Sequence, residues 1–336
     1  QLDDVRQVAA GSTSCAVLGD GSVYCWGDAD AQLLPEDVFQ SPIPVQVAGL
    51  DEAQSVAVGG SFACALHRER WVSCWGQNDD GGLGTGNTTE KKGVVTVELP
   101  VDPVRLAAGS GTACAVLIDG SVACWGEANY GQLGRDVSSV GAPAVVPGVS
   151  CATDVFVGDD HGCAISEGGK VSCWGLNNDR QTGDRAASAY IEGNWITPKA
   201  TTLPGLSDVL AGGGGEGHSC VVTKGKGALC WGSNEHGEGG DGTGVTKSAP
   251  TALDVAEVDA VAVGGGHGCA LTGGDDVWCW GENRRGQLGQ GAFPDATGIV
   301  AIPDSAAGKG LSAAGATTCM LVGSQPVCWG FNRYGQ

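Results

Sequence analysis

Residues 263–289 read VGGGHGCALTGGDDVWCWGENRRGQLG, and the Cys-Trp-Gly motif within them occurs seven times in the chain. Successive copies are separated by 49, 50, 49, 57, 49 and 49 residues, and they begin at Cys25, Cys74, Cys124, Cys173, Cys230, Cys279 and Cys328. A nearly constant period of this length indicates a repeat array.

Each repeat has the same order of short apolar segments and turns. A segment such as residues 56–60 precedes a strand that carries a first Cys, and a turn, the Cys-Trp-Gly strand, a polar loop and a Pro-containing strand such as residues 42–47 follow. Alternating apolar residues separated by Gly, Asp or Asn indicate about four strands per unit. The sequence therefore predicts an all-β, seven-bladed β-propeller that forms one domain over residues 1–336. Leucine-rich and kelch repeats are distant alternatives, with different unit lengths or glycine patterns.

The positions of the strands within each blade follow from this order. We expect residues 56–58 to lie in an innermost strand and residues 44–47 in an outermost strand. The sequence ends at Gln336, just after the third strand of the last unit. The seventh blade is therefore expected to have three strands or to be completed by another chain.

The repeat also resembles that of a known family. Residues 263–271, the CWGEN of residues 279–283 and the GQLG of residues 286–289 closely resemble the regulator-of-chromosome-condensation repeat. The likeness recurs seven times in register over nearly the whole chain. It implies a seven-bladed propeller, in a family whose tasks include nucleotide exchange on a small GTPase, ultraviolet sensing in plants and β-lactamase inhibition by a secreted bacterial member. No segment matches those functional sites residue by residue, and fold alone does not transfer function.

The cysteines are spaced as cross-strand pairs. A first Cys precedes the Cys of the motif by ten positions, or by nine in the last unit, which gives the pairs Cys15–Cys25, Cys64–Cys74, Cys114–Cys124, Cys163–Cys173, Cys220–Cys230, Cys269–Cys279 and Cys319–Cys328. A turn at residues 19–21 places the first pair face to face, and a two-residue turn at 323–324 does so in the last unit. Opposed residues of antiparallel strands have Cα atoms about 4.5–5.5 Å apart, which suits a disulfide.

Seven disulfides are therefore predicted in preference to zinc sites, because no Cys-x-x-Cys spacing is present. Disulfides indicate an oxidising compartment, so we expect a secreted or cell-surface protein, extracellular or periplasmic, similar to the secreted bacterial type of the family. Cys151 is left over, at the position of Glu52 in the second repeat. It is either a partly buried free thiol or a link to another chain or segment. We expect a monomer unless Cys151 or the open blade edge mediates pairing.

Aromatic and titratable side chains follow the repeat too. Seven of the ten tryptophans belong to Cys-Trp-Gly and are predicted to pack between blades, because each blade must fill the same gap. Three residues close before the motif are candidate surface aromatics: Tyr24, Trp71 and Trp278. Three histidines stand two residues before a first Cys, and a backbone hydrogen bond is expected for them, with a shared metal site as the alternative: His161, His218 and His267.

Charge and motif content exclude several functions. The chain has 18 basic and 38 acidic residues and a formal charge of −20, which opposes binding to nucleic acid. The apolar runs are too short to span a bilayer. The acidic pairs at residues 79–80, 159–160 and 275–276 are expected to be solvated loop carboxylates, with calcium binding as the alternative. No catalytic constellation or cofactor motif is found, so we expect neither an enzyme nor a cofactor.

The candidate binding site is the one insertion in the array. The repeat after Trp174 takes 57 residues, and its loop contains Tyr190 and Trp195 with Arg180 and Arg185 upstream. Aromatic residues often anchor interfaces, although both rings could instead cover the blade edge. The leading hypothesis is a non-enzymatic extracellular module that binds a protein or glycan through its loops. A secreted enzyme inhibitor, and a lyase or hydrolase at the central channel, are the alternatives.

Overall fold

The computed structural model describes residues 2–28, 32–34, 38, 40–135, 141–225, 227–273, 276–291, 294–302 and 308–336. Its strands form seven antiparallel sheets that follow one another along the chain. The predicted all-β, seven-bladed propeller is confirmed. No helix among the described residues is long and apolar enough to cross a membrane.

Blades one to three each contain four strands in sequential order. Their bounds are β1 Val5–Ala9, β2 Thr13–Leu18, β3 Val23–Asp28 and β4 Gln40–Gln46; β5 Ala53–Val58, β6 Phe62–His67, β7 Val72–Gly76 and β8 Val95–Val97; β9 Pro103–Ala108, β10 Thr112–Leu117, β11 Val122–Gly126 and β12 Ala144–Val145.

Blades four to seven contain five, four, four and three strands. Their bounds are β13 Ala152–Val157, β14 His161–Ser166, β15 Lys170–Leu176, β16 Ala189–Ile191 and β17 Asn194–Thr202; β18 Val209–Gly214, β19 His218–Thr223, β20 Ala228–Gly232 and β21 Lys247–Ala252; β22 Val258–Val263, β23 His267–Thr272, β24 Val277–Gly281 and β25 Ala296–Ala301; β26 Gly308–Ala314, β27 Thr317–Val322 and β28 Gln325–Gly330.

A disulfide joins the second and third strands of every blade. In the first blade, the Leu18 N–H donates to the carbonyl of Ser22, and Gly21 takes the positive φ of 89° that this turn needs. All seven predicted pairs are bonded, with Cα–Cα distances of 4.0–4.1 Å. These strands approach more closely than ordinary opposed strands. Seven disulfides in one chain indicate an oxidising environment.

The first strands of the blades surround a central channel of about 450 Å³, which is lined by residues of all seven. Residues 56–58 lie in this inner layer and residues 44–46 in an outermost strand, as the repeat predicted. Glycine is needed where blades converge. At Gly109 a Cβ atom would clash with the carbonyl oxygen of Gly158 in the next blade.

The tryptophan of each motif links its blade to the preceding one. Its indole N–H donates to a backbone carbonyl over 2.7–3.2 Å, in the pairs Trp75–Leu33, Trp125–Gly82, Trp174–Gln132, Trp231–Gln181, Trp280–Glu238, Trp329–Gln287 and, across the ring closure, Trp26–Gln336. Six of the seven rings are buried, which confirms the predicted packing between blades, whereas Trp329 is half-buried.

Apolar clusters of described residues fill the seven blade interfaces, including the one where the last blade meets the first. At that closure the Ala10 N–H donates to Ser312 Oγ, and Gln325 Nε2 donates to the carbonyl of Leu2. Among the described residues the seventh blade has three strands, which is one of the two arrangements expected. Its Cys-Trp-Gly strand forms the outer edge, which explains the partial exposure of Trp329.

Candidate functional site

The insertion in the fourth repeat folds into an extra hairpin at the outer edge of its blade. After a short 3₁₀ turn at Arg185–Ala187, strand β16 pairs with the first part of β17, and β17 pairs with β15. A two-residue turn at Glu192 and Gly193 joins β16 to β17, with φ angles of 47° and 89°. Two positive φ values are typical of a tight hairpin turn. The extra residues thus add a fifth strand to the sheet.

Two aromatic rings and one cation meet on this hairpin. Tyr190 and Trp195 are directly opposed across the strands, with ring centroids 5.3 Å apart. The Arg185 guanidinium lies 5.1 Å from the centroid of the Trp195 ring. Tyr190 is 65% exposed, whereas Trp195 and Arg185 are half-buried. Neither aromatic ring is fully packed against the blade, so both remain available to a partner.

Hydrogen bonds fix the hairpin to the loop that precedes it. Arg185 Nε donates to the carbonyl of Asn177 over 3.2 Å, and its Nη2 donates to the carbonyl of Asn178. The Asn178 side chain accepts from the Trp195 N–H and donates to Asn194 Oδ1, both at 2.8 Å. Arg185 is therefore held in place under the ring rather than free in solvent.

The structure brings together three of the four residues predicted for this site. Arg180 lies in the preceding turn with a positive φ of 68°. Its side chain makes no hydrogen bond or ion pair with any residue that the structure describes. Tyr190, Trp195 and Arg185 form one cluster, and Arg180 stands apart from it. The role of all four in binding stays a prediction.

Acidic side chains gather near one mouth of the channel. Asp159 lines the channel, its N–H donating to the carbonyl of Gly215, and the Asp160 carboxylate accepts from Gln132 Nε2 over 3.3 Å. Burial, with the nearby carboxylates of Glu127 and Glu216, raises the pKa values of Asp159 and Asp160 to about 6. Both side chains are half-buried because the inner loops of three blades converge on them, so the expectation that this pair is solvated holds only in part. Asp79 and Asp80 are exposed as expected, and Asp275 lies outside the described residues.

This environment predicts a stability that depends on pH. An aspartate whose pKa is raised by folding binds its proton more tightly in the folded state, so it destabilises the fold increasingly as pH rises from about 4 to about 6. We expect Asp159→Asn to raise the free energy of unfolding at about pH 8 by roughly 1 kcal/mol and to lose that advantage below about pH 4. Chemical denaturation across this range measures the difference. Asp79→Asn is the exposed control, and a gain of the same size there would contradict the explanation.

The three histidines lie between blades. His161 Nε2 and Ser219 Oγ, and His267 Nε2 and Thr318 Oγ1, are each 2.7 Å apart. The expected backbone bond is therefore wrong for these two rings, which instead bond a hydroxyl of the next blade. Burial lowers their pKa values to about 3. The sequence does contain a signal for these bonds. Ser219 and Thr318 each stand just before the first Cys of the repeat that follows the histidine.

His218 differs because the next blade has Gly268 where the other two have a hydroxyl. Neither of its ring nitrogens has a hydrogen-bond partner among the described residues. Burial lowers its pKa to about 4, and the nearby backbone of His267 partly opposes this effect without the geometry of a hydrogen bond. No group of three or more His, Cys, Asp or Glu in the described part of the chain could hold a metal ion.

Cys151 is not part of the seven disulfides, as predicted, but it is exposed, whereas the expectation was either a partly buried free thiol or a link to another chain or segment. Its φ of 52° matches the 57° of Glu52 at the start of the second blade, which confirms that the two positions are equivalent. The three candidate surface aromatics, Tyr24, Trp71 and Trp278, are all half-buried. Trp71 stacks on His67 with ring centroids 3.6 Å apart.

Comparison with known proteins agrees with this repeat geometry. A sequence model of the RCC1-like domain family matches residues 1–307. The chain belongs to this family. This RCC1-like domain is also 34% identical over 113 residues to the human RCC1-like G exchanging factor-like protein and 33% identical over 113 residues to its mouse counterpart. Each alignment covers 31% of this chain and 24% of the relative.

Solved structures share the fold of this RCC1-like domain. Prp20p from Saccharomyces cerevisiae superposes with a TM-score of 0.80 at 21% identity, over 93% of this chain and 80% of Prp20p. Human WBSCR16 superposes with a TM-score of 0.83 at 20% identity, over 96% of this chain and 88% of its own. At these identities the likeness shows the fold alone. The structure of Prp20p was reported together with the binding of Prp20p to Gsp1p and histones.

Proposed function

We propose that this protein is a non-enzymatic recognition propeller that works in an oxidising compartment outside the cytosol and binds a partner protein through the β16–β17 hairpin. The observation that carries the proposal is the exposed Tyr190 ring beside the Trp195 ring, which in turn lies against the Arg185 guanidinium. Tyrosine, tryptophan and arginine are the residues that most often dominate binding energy at interfaces.

The hairpin is suited to binding because hydrogen bonds within the chain order it before any partner binds. The bonds from Arg185 and Asn178 already hold the Trp195 segment in place. Association therefore costs less side-chain and loop entropy in the hairpin itself. The position at the outer edge of a blade also leaves the hairpin accessible without any change in the propeller.

Charge indicates what kind of surface would dock there. The molecule has a net charge of −20, yet this loop carries two of its 18 basic residues within six positions of each other. The same segment carries Asp179, Asp184 and Glu192, so its charge is close to zero rather than positive. We infer that the partner presents a polar surface with a pocket for the Tyr190 ring, because this segment lacks the strong negative charge of the molecule as a whole.

The disulfides support the proposed location. Thirteen of the fourteen bonded sulfurs belong to fully buried cysteines, and only Cys328 is half-buried. Structural disulfides of this kind form and persist in secreted and surface proteins. An extracellular or periplasmic site of action is therefore the consistent proposal.

Tyr190→Ala and Trp195→Ala test the binding site. We expect each to weaken capture of the partner from medium or cell-surface extract by about tenfold or more, because interface aromatics typically contribute about 2 kcal/mol or more. Capture on immobilised protein followed by mass spectrometry identifies the partner, and surface plasmon resonance then measures its affinity. The melting temperature of both variants should stay unchanged.

Ile43→Ala is the matched control, since Ile43 is 67% exposed on the outer strand of the first blade. It should leave capture intact. Equal capture by wild type and both hairpin variants would reject the site. If only glycans are retained, and no protein, the proposed partner class is wrong even where the hairpin residues matter.

A further inference from the structure

A groove of about 780 Å³ lies on the outer wall between the fifth and sixth blades. Trp278 and Ile299 supply its largest apolar side chains, and both are half-buried. The segment that connects the two blades, residues 252–257, forms one side. The groove is separate from the hairpin, which extends the fourth blade.

The indole in this groove is a departure from the repeat. Trp278 is opposed by Ala270 on one neighbouring strand and by Ala301 on the other, so small side chains flank the ring. The residue just before the motif Cys in the other six blades is never a tryptophan: it is Tyr24, Ser73, Ala123, Ser172, Leu229 or Val327. Packing between blades does not require an indole at this position, because six blades form without one.

Three carboxylates share the groove with the indole. Asp254, Glu257 and Asp276 all line it and are exposed. None of the three forms an ion pair with a residue in the described ranges. A fourth carboxylate, Asp241, already has its cation, because Lys247 Nζ lies 2.5 Å from it. The groove thus retains negative charge that the described part of the chain does not neutralise.

We propose that this groove binds an arginine side chain from a basic segment of a partner protein. A guanidinium is planar and weakly hydrated, so it can stack on the Trp278 indole while its N–H groups donate to the surrounding carboxylates. Arginine suits the groove better than lysine, because its N–H groups form a fixed fork that pairs with carboxylates while its face covers a ring. An anionic or purely apolar ligand would leave the three carboxylates unpaired or desolvated.

Binding of a capped Gly-Arg-Gly peptide tests the proposal, with Gly-citrulline-Gly as the neutral probe of nearly the same shape. In ¹H–¹⁵N spectra of the full chain, we expect the Trp278 indole resonance to shift saturably with the arginine peptide. The citrulline peptide should bind about tenfold more weakly, and added salt should weaken binding of the arginine peptide. Equal binding of the two peptides, or no saturable shift, would overturn the proposal.

Two sets of variants separate the indole from the carboxylates. Trp278→Ala should weaken the arginine peptide by about fivefold or more, whereas Tyr24→Ala, the same position in the first blade, should not. The double variant Glu257→Gln and Asp276→Asn changes only exposed side chains, and it should weaken binding while keeping the melting temperature. Glu52→Gln, equivalent to Glu257, is its control. Unchanged affinity in the double variant would contradict the proposal whether or not Trp278→Ala folds.

Discussion

Reduction of the disulfides is expected to unfold the propeller at room temperature. Each bond closes a loop of about ten residues and, on the chain-entropy model, contributes roughly 2–3 kcal/mol. Seven such contributions together match or exceed the roughly 5–15 kcal/mol by which most domains are stable. Reduction of all seven disulfides should therefore lower the melting temperature of the propeller to about room temperature or below.

Circular dichroism melts with and without a phosphine reductant, together with counting of alkylated thiols, measure this effect. Cys319–Cys328 should be reduced first, because Cys328 is half-buried and the other bonded cysteines are fully buried. The remaining six should react together, since a reductant reaches them only on unfolding. A chain with all fourteen thiols alkylated and an unchanged melting curve would contradict the prediction.

Trp174→Ala is expected to cost about 3–5 kcal/mol in free energy of unfolding, the usual loss for a large buried aromatic. The ring is fully buried, fills the interface between the third and fourth blades, and donates to the carbonyl of Gln132 over 2.8 Å. The variant leaves both a cavity and a carbonyl without its donor. Denaturation in guanidinium chloride, at constant m-value, measures the change.

Trp329→Ala provides the comparison within the same repeat position. Its indole makes the same kind of bond to Gln287, over 2.9 Å, but the ring is half-buried. We expect about half the loss or less, because less apolar area leaves water. Equal losses at Trp174 and Trp329 would show that the hydrogen bond, and not burial between blades, determines the cost.

The regular features of this fold could be predicted because they repeat. The 49-residue period and the spacing of ten between cysteines are local, and strand pairing across a short turn fixes which residues oppose each other. The pairing of Cys15 with Cys25, for example, could be predicted from the turn at residues 19–21 alone. The outer position of β4 and the inner position of β5 followed from the same order of strands.

Contacts between blades could not be predicted in the same way, because they depend on how the ring closes. Asp159 and Asp160 read as an ordinary loop pair, yet loops of the neighbouring blades contact them and leave them half-buried. Arg180 and Arg185 looked equivalent in sequence, and only Arg185 lies against Trp195. Arg185 begins a 3₁₀ turn of three residues, and this turn places its side chain near the hairpin. No periodic pattern in the sequence predicts that turn.

The indole bonds all run in one direction, from each blade to the carbonyl of the blade before it. Every blade is therefore a donor on one side and an acceptor on the other, which is the arrangement of a heterologous, head-to-tail assembly rather than a self-complementary one. A single excised blade would keep both unmatched sides. Such blades would join into chains or rings and would not stop at symmetric dimers, and in this chain the closure of seven blades leaves no side unmatched.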